Sequence, residues 1–229
     1  MVDIHTHVLP FVDDGSQSIE DSLALLTECA SQGVTDIILT PHFRGEYALD
    51  KEQILESFAQ FKKQVKQKEL KINLYLGREI AITDDFKSEF LLGKYLTLNS
   101  TKYVLIECSF NKFTDIAEIV YELKSMGYLP IVAHLERYLY ADLDMAYEIK
   151  RLGGYIQVNA GSFVGKQRRK YVKFVKALFK NGLVDFVASD IHFNREVLLL
   201  KAEKYVKKKY GEQVSNAVFN DNAQKIIKG

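Results

Sequence analysis

His5 and His7 stand two residues apart near the start of a 229-residue chain that holds five histidines in all. In an extended strand, residues two apart face the same side, so both imidazoles can reach one ion. Asp190-Ile191-His192 repeats the spacing with a carboxylate in place of one imidazole. Imidazole with carboxylate suits zinc, manganese or iron, and is harder than a thiolate site. The other candidates stand singly. They are His42 in Thr40-Pro41-His42, Glu79 in Gly77-Arg78-Glu79, Glu107 and His134. Each alone reads as an ordinary polar residue. Their weight depends on where the backbone puts them.

Short β-branched or aromatic runs alternate with longer segments of helical period, the pattern of a parallel sheet or barrel. The predicted strands are 2–5, 36–40, 72–77, 103–107, 129–134, 155–159 and 185–189, near-continuous apolar runs as expected of strands covered on both faces. Helices are predicted at 19–31, 51–68, about 114–126, about 141–152, 168–180, 196–209 and 222–228. Ser18 would cap the first, with Gly33 beyond its end. Seven βα units in this length suggest a small barrel, with a doubly wound open sheet as the second architecture. On this map every histidine ends or follows a strand, as do Glu79, Glu107 and Asp190. In a parallel barrel all those positions share the C-terminal face, where active sites form.

Asp14, in Val12-Asp13-Asp14-Gly15, adds a ninth candidate ligand from the loop after the first strand. Asp13 is read equally as a turn residue, because Asp-Asp-Gly is good turn chemistry. Asp3 is given no role, and Asn159 is read as orienting a ligand or as structural. Nine imidazoles and carboxylates exceed one tetrahedral site and suffice for two or three ions, which would activate water and stabilise an in-line displacement. Arg137 and Arg195 each stand three residues beyond a candidate ligand, and Arg44 stands two beyond His42. A guanidinium fork matches phosphate oxygens. The run Lys166-Gln167-Arg168-Arg169-Lys170 suits an acidic or phosphorylated peptide, or equally a solvated helix start. The chemistry implied is metal-dependent phosphoester hydrolysis.

Bulk properties are consistent with one globular domain over 1–229. Hydrophobic residues make up 47% and charged residues 27%, with a net charge of +1. That balance gives no chain-wide field for nucleic acid or membrane, so any basic recognition is local. No apolar run approaches the roughly 18 residues of a membrane span, and the N-terminus lacks a signal-peptide pattern, so a cytoplasmic protein without membrane insertion is expected. Cys29 and Cys108 read as buried thiols. Neither is followed by the arginine that a cysteine-nucleophile phosphate loop needs.

The ordered motifs Asp3-Ile4-His5-Thr6-His7, Thr40-Pro41-His42, Ala133-His134 and Ser189-Asp190-Ile191-His192 resemble those of the polymerase-and-histidinol-phosphatase superfamily. Val12–Ser16, Gly77–Ile80, Ile106-Glu107, His134–Tyr138, Gln157–Ser162 and Val187–His192 more narrowly resemble its bacterial tyrosine-phosphatase branch, encoded with capsular and exopolysaccharide synthesis. The resemblance spans essentially the whole chain. It implies a distorted (β/α)7 TIM-like barrel with the active site at the C-terminal strand ends. It implies three ions, usually Mn2+, with Fe, Zn, Co or Mg as alternatives. The implied ligands are His5, His7, Asp14, His42, Glu79, Glu107, His134, Asp190 and His192. The implied activity is dephosphorylation of the Tyr-rich tail of a bacterial tyrosine kinase, by metal-activated hydroxide attack on phosphorus. Arg137 would contact phosphate, and His42 or Asp190 could carry protons instead of binding metal. The family arginine that lies further past the last ligand histidine, often before a proline, has no counterpart at that distance. Here Arg195 follows His192 by three, so it serves through a shifted loop or that contact is lost. A small phosphomonoester such as histidinol phosphate, and a non-catalytic metal-binding regulator, are the alternative readings. A monomer and a homo-oligomer are both compatible.

Overall fold

The computed structural model describes residues 1–165 and 168–229, so Lys166 and Gln167 of the predicted basic run lie outside the described residues. Among the described residues there are nine strands: β1 Val2–Thr6, β2 Asp36–Leu39, β3 His42–Phe43, β4 Asn73–Leu76, β5 Glu79–Ala81, β6 Tyr103–Glu107, β7 Leu129–Val132, β8 Tyr155–Asn159 and β9 Phe186–Ala188. Six of the seven predicted runs contain one strand each, and β1 extends one residue past the predicted 2–5, to Thr6. β3 and β5 are additional, and they hold His42 and Glu79, which were expected just beyond strands.

All pairings are parallel, in the orders β1-β2-β4 and β3-β5-β6-β7-β8-β9. The two sheets are joined by chain continuity. β2 runs into β3 through Thr40-Pro41, and β4 into β5 through Gly77-Arg78. Pro41 has no N–H to give a ladder, yet its carbonyl accepts from Glu79 N at 3.3 Å, and Gly77 N donates to the Leu39 carbonyl at 2.8 Å. Past β9, Asp190 N donates to the His5 carbonyl (2.9 Å) and His7 N to the Ile191 carbonyl (3.0 Å). The parallel sheet is thereby curled until its first strand meets the segment after its last.

Side-chain alternation divides each strand between two cores. Ile4, Ile38, Leu105, Ile131, Phe186 and Ala188 form one buried cluster, covered by Ala223 and Ile226 of the helix Asn222–Lys228. Val104, Ile106, Val132, Ile156, Val158 and Val187 face the other way, into the larger core beneath the outer helices. Continuing the first parity toward the C-terminal ends gives Glu107 after Leu105, Gln157 and Asn159 after Tyr155, and Asp190 after Ala188. The inner face is thus apolar at one end and polar at the other. In β1 the register slips between Asp3 and Thr6, a bulge that brings His5 to the same polar layer.

The predicted helix signals operate as hydrogen bonds. Ser18 Oγ accepts from Asp21 N at the start of Ile19–Ser31, and Asp50 forms a capping box on Lys51–Gln67. The helices predicted near 114 and 141 begin later, at Ile116 and Leu143, because Asp115 and Asp142 are the residues whose side chains cap them. Short helices such as Phe86–Leu91 and Gly161–Val164 carry too little periodicity to be foreseen.

The loop after β1 folds back on itself. Ser16 N donates to the His7 carbonyl at 3.0 Å, and a Cβ added at Gly15 would meet that oxygen at 2.0 Å and His7 Cβ at 2.6 Å. Gly15→Ala is therefore expected to push Asp13 and Asp14 off His7 and to destabilise the fold by about 1–3 kcal/mol, as overpacking does. Urea unfolding measures this, and an unchanged midpoint would refute the close approach.

Candidate metal centre

All nine predicted ligands converge in the polar layer. Among the described residues, four groups offer ligand atoms within 4.8 Å of one another: His5, His7 and Asp190; His5, Glu79 and His134; His42, Glu79 and Glu107; and His7, Asp14, His42 and His192. Glu79 links them. Its Oε1 lies 2.8 Å from His134 Nε2, and its Oε2 lies 2.8 Å from His42 Nδ1, 3.3 Å from His7 Nε2 and 3.4 Å from His5 Nε2. Asp190 Oδ1 faces His5 and His7 at 3.6 and 3.5 Å. His192 and His42 each present Nε2 to Asp14 Oδ1, at 3.5 and 3.4 Å.

The surrounding hydrogen bonds fix which ring nitrogens face inward. Gln157 Oε1 accepts from His134 N (2.9 Å) while Gln157 Nε2 donates to Asn159 Oδ1 (2.8 Å), so the amide is oriented. Its Oε1 therefore accepts from His5 Nδ1 at 3.1 Å. Asp13 Oδ2 accepts from His7 Nδ1 at 2.7 Å and from His42 N at 3.1 Å. Both Nε2 lone pairs consequently point at each other across 3.1 Å. Two lone pairs at that distance repel unless a cation lies between them. Glu79 Oε2, deeply buried, meets ring nitrogens at 2.8–3.4 Å but among the described residues has no hydrogen-bond donor of ordinary geometry. The donor set, the spacing and this unpartnered oxygen fit divalent ions.

Protons compete for the same lone pairs. Burial alone would lower His7, but Asp13 and Glu79 outweigh it and hold the imidazole well above its usual range. Burial would raise Glu79, yet the imidazoles around it, His5 foremost, hold it well below. Burial and the neighbouring Glu79 carboxylate raise Glu107 to about 9. Burial and the cationic His7 push His192 down to about 4. Asp190, beside the same imidazoles, is lowered despite its burial.

Two of the left-handed non-glycine residues are themselves candidate ligands. His134 and Asp190 adopt left-handed φ values of 33° and 50° at the ends of β7 and β9. Non-glycine residues hold such values only where the surroundings enforce them.

Arg137 donates to Asp190 Oδ2 at 3.1 Å, its guanidinium 4.3 Å from the centre of the Phe110 ring. Arg195 NH1 donates to the Asp190 carbonyl at 3.3 Å, so the shorter spacing after His192 still returns this side chain to the centre. Both line a cleft of ≈ 820 Å3 that opens beside Asp190. Arg44 pairs with Asp14 (3.2 Å) and Glu107 (3.3 Å). Asn159 Nδ2 donates to Asp190 Oδ2 at 2.7 Å.

Three buried contributors had no assigned role in the sequence reading. Gln157 holds His5 and the His134 backbone; its signal was the same-face spacing Gln157-x-Asn159. Asp3, given no role, accepts from Ser189 N at 3.1 Å and ties β1 to the segment after β9. Arg78 is fully buried and donates to the carbonyls of Leu49, His42 and Tyr47. Asp13 takes the turn role, its Oδ1 accepting from Gly15 N, while its Oδ2 accepts from His7 Nδ1 behind the ring and Asp13 joins none of the four ligand groups.

Asp13→Asn keeps the size but removes the charge that holds His7. Metal affinity should fall about 10–100-fold, the usual effect of losing a carboxylate behind a ligand histidine. In the unaltered protein, ions must displace the protons held by His7 and Glu107. Titration calorimetry in two buffers of different ionisation enthalpy should show proton release, with affinity rising with pH. Proton-neutral, pH-independent uptake would contradict the assignment.

Comparison with known proteins places this geometry in a lineage. A family described as capsular polysaccharide synthesis, CpsB/CapC, matches residues 1–228. The chain is 36% identical over 196 residues to CapC of Staphylococcus aureus, spanning 84% of this chain and 77% of CapC. It is 34% identical over 241 residues of alignment to the tyrosine-protein phosphatase CpsB of Streptococcus agalactiae, spanning 100% of this chain and 98% of that one. Among solved structures, one from the study of YwqE of Bacillus subtilis and CpsB of Streptococcus pneumoniae, described as unique metal-dependent tyrosine phosphatases, superposes with a TM-score of 0.88. That match is 29% identical and spans 94% of this chain and 90% of the other. The matched family extends over nearly the whole chain and includes every strand end that carries a candidate ligand, and the chain belongs to the capsular polysaccharide synthesis CpsB/CapC family.

Proposed function

We propose that this chain is a metal-dependent protein-tyrosine phosphatase acting on a phosphotyrosyl protein of capsule or exopolysaccharide synthesis, its partner a bacterial tyrosine kinase. The observation that carries the reading is the convergence of eight buried candidate ligand side chains and the exposed Asp14 beside a cleft faced by two arginines. The relatives named for tyrosine-phosphatase activity support the substrate class. The same reading takes residues 1–229 as one domain built on a distorted seven-unit barrel, working in the cytoplasm. No helix among the described residues is long and apolar enough to cross a membrane.

His5, His7, Asp14, His42, Glu79, Glu107, His134, Asp190 and His192 would hold the ions, manganese in our reading and three in number. Bound divalent ions supply Lewis acidity toward phosphoryl oxygens and an activated water at neutral pH. The chain's own residues do the rest. Arg137, one N–H engaged by Asp190 and its plane packed on Phe110, keeps further N–H groups for the phosphoryl oxygens. Arg195 adds a second positive group on the same cleft. Asp13, Gln157 and Asn159 hold their partners still, so little reorganisation accompanies the reaction. The phenolate of tyrosine, with a pKa of about 10, leaves without strong acid assistance.

A cysteine mechanism conflicts with the geometry. Both thiols are buried, Cys108 is pushed up to about 12 by burial and by Glu107, and Cys29 is also raised by burial. A reactive cysteine needs the opposite shift.

The His5→Ala/His7→Ala protein should lose bound metal and hydrolysis of p-nitrophenyl phosphate together, while Cys29→Ser/Cys108→Ser keeps both. The unaltered enzyme should turn over a phosphotyrosyl peptide with higher kcat/KM than histidinol phosphate. Full activity in the metal-stripped double alanine variant would defeat the proposal, and a reversed substrate preference would move it to small phosphomonoesters.

A further inference from the structure

The cleft beside Asp190 is larger than its inner end requires. Its ≈ 820 Å3 lies high in the range for sites that enclose a whole drug-sized ligand, about 300–1,000 Å3. A phosphotyrosyl side chain directed at Asp190 and Arg137 therefore leaves a second compartment beside it. That compartment is bounded by the short helix Gly161–Val164 and by the first turns of the helices Arg169–Lys180 and Leu199–Tyr210.

Its charge is one-sided. Arg168 and Lys201 add two cations to Arg137 and Arg195 on the same cleft, against the carboxylates of Asp190 and Glu196. The chain as a whole carries a net charge of only +1, so this concentration is local. Among the described residues, neither Arg168 nor Lys201 has a carboxylate in salt-bridge range. Lys150 and Lys207, by contrast, pair with Asp185 and Glu212. Lys170 Nζ donates to the Leu139 carbonyl at 2.9 Å, a contact between the helix after Arg168 and the segment that carries Arg137. Tyr171 and Phe110 supply aromatic surface in the same cleft.

We propose that this outer compartment is a subsite for acidic residues next to the phosphotyrosine in the substrate polypeptide, read by Arg168 and Lys201. The inference rests on the phosphatase reading of the inner end. A peptide fits better than a membrane surface, because the cations line a concavity continuous with the phosphoryl position. The phosphoryl-bearing chain must pass through that concavity.

The test compares two phosphotyrosyl peptides, one flanked by Asp and Glu and the other by Asn and Gln. The unaltered metal-loaded enzyme should prefer the acidic peptide about tenfold in kcat/KM, the ratio that two charge contacts of ordinary surface strength supply. The preference should lie in KM and shrink as salt screens it. Arg168→Glu/Lys201→Glu should abolish or invert it, and Arg168→Gln/Lys201→Gln should give an intermediate ratio. Equal kcat/KM for the two peptides in the unaltered enzyme, or a preference untouched by charge reversal, would overturn the subsite. So would absence of peptide preference combined with reversal-sensitive binding to phosphatidylglycerol vesicles, which points to a membrane surface. Inactivity of the unaltered enzyme on both peptides and on p-nitrophenyl phosphate would instead sink the phosphatase reading itself.

Discussion

The 3.1 Å approach of two imidazole Nε2 atoms in a fully buried layer is the constraint around which the fold is arranged. Each ring is turned inward by a partner behind it, Gln157 for His5 and Asp13 for His7. The lone pairs so aimed, with the Glu79 and Asp190 carboxylates beside them, concentrate negative potential where water cannot relieve it. Only a cation, proton or metal, makes that arrangement favourable. The upward displacement of His7 and Glu107 is the proton form of the answer, and nine converging ligand atoms are the metal form.

Local departures from regular structure serve this convergence. A continuous parallel ladder would alternate side chains strictly and could not gather so many on one end. The bulge in β1 turns His5 onto the polar layer, and the interruptions at Thr40-Pro41 and Gly77-Arg78 let β3 and β5 start afresh with His42 and Glu79. His134 and Asp190 do the same through left-handed backbone at single residues. The regular part of each strand meanwhile stays apolar and supplies the packing that holds these strained positions.

The sequence disclosed which imidazoles and carboxylates would converge because strand ends on one face are a topological fact, readable once the βα alternation is recognised. It disclosed less of what lies behind the ligands. Gln157 meets His5 across 152 residues of chain, and no local pattern encodes such a partner. Asp13 read equally as turn residue and as ligand, and its use as the acceptor behind His7 was neither of these. β3 and β5, at two and three residues, are too short to show any period. Arg195 was ambiguous because spacing measures chain length and not path. Asn194, at φ 63°, reverses the chain directly after Phe193, and the arginine regains Asp190 with fewer residues.

Arg78 and Glu79 show how two adjacent residues can set both sides of a site. Arg78 closes the interruption before β5, and Glu79 is the first residue of that strand. Glu79 turns inward among the imidazoles and meets His42 Nδ1 at 2.8 Å. Arg78 turns the other way and donates to the His42, Tyr47 and Leu49 carbonyls, its guanidinium 4.7 Å from the centre of the Phe43 ring. Burial lowers its pKa to about 10, and no carboxylate pairs with it among the described residues. A buried cation with only carbonyl partners is a costly way to close a loop if closure were the sole result. The same loop carries His42 and Arg44, and the latter reaches Asp14 and Glu107. The dipeptide thus meets His42 at its ring on one side and at its carbonyl on the other, and the loop between β3 and the following helix is held where Arg44 reaches Asp14 and Glu107.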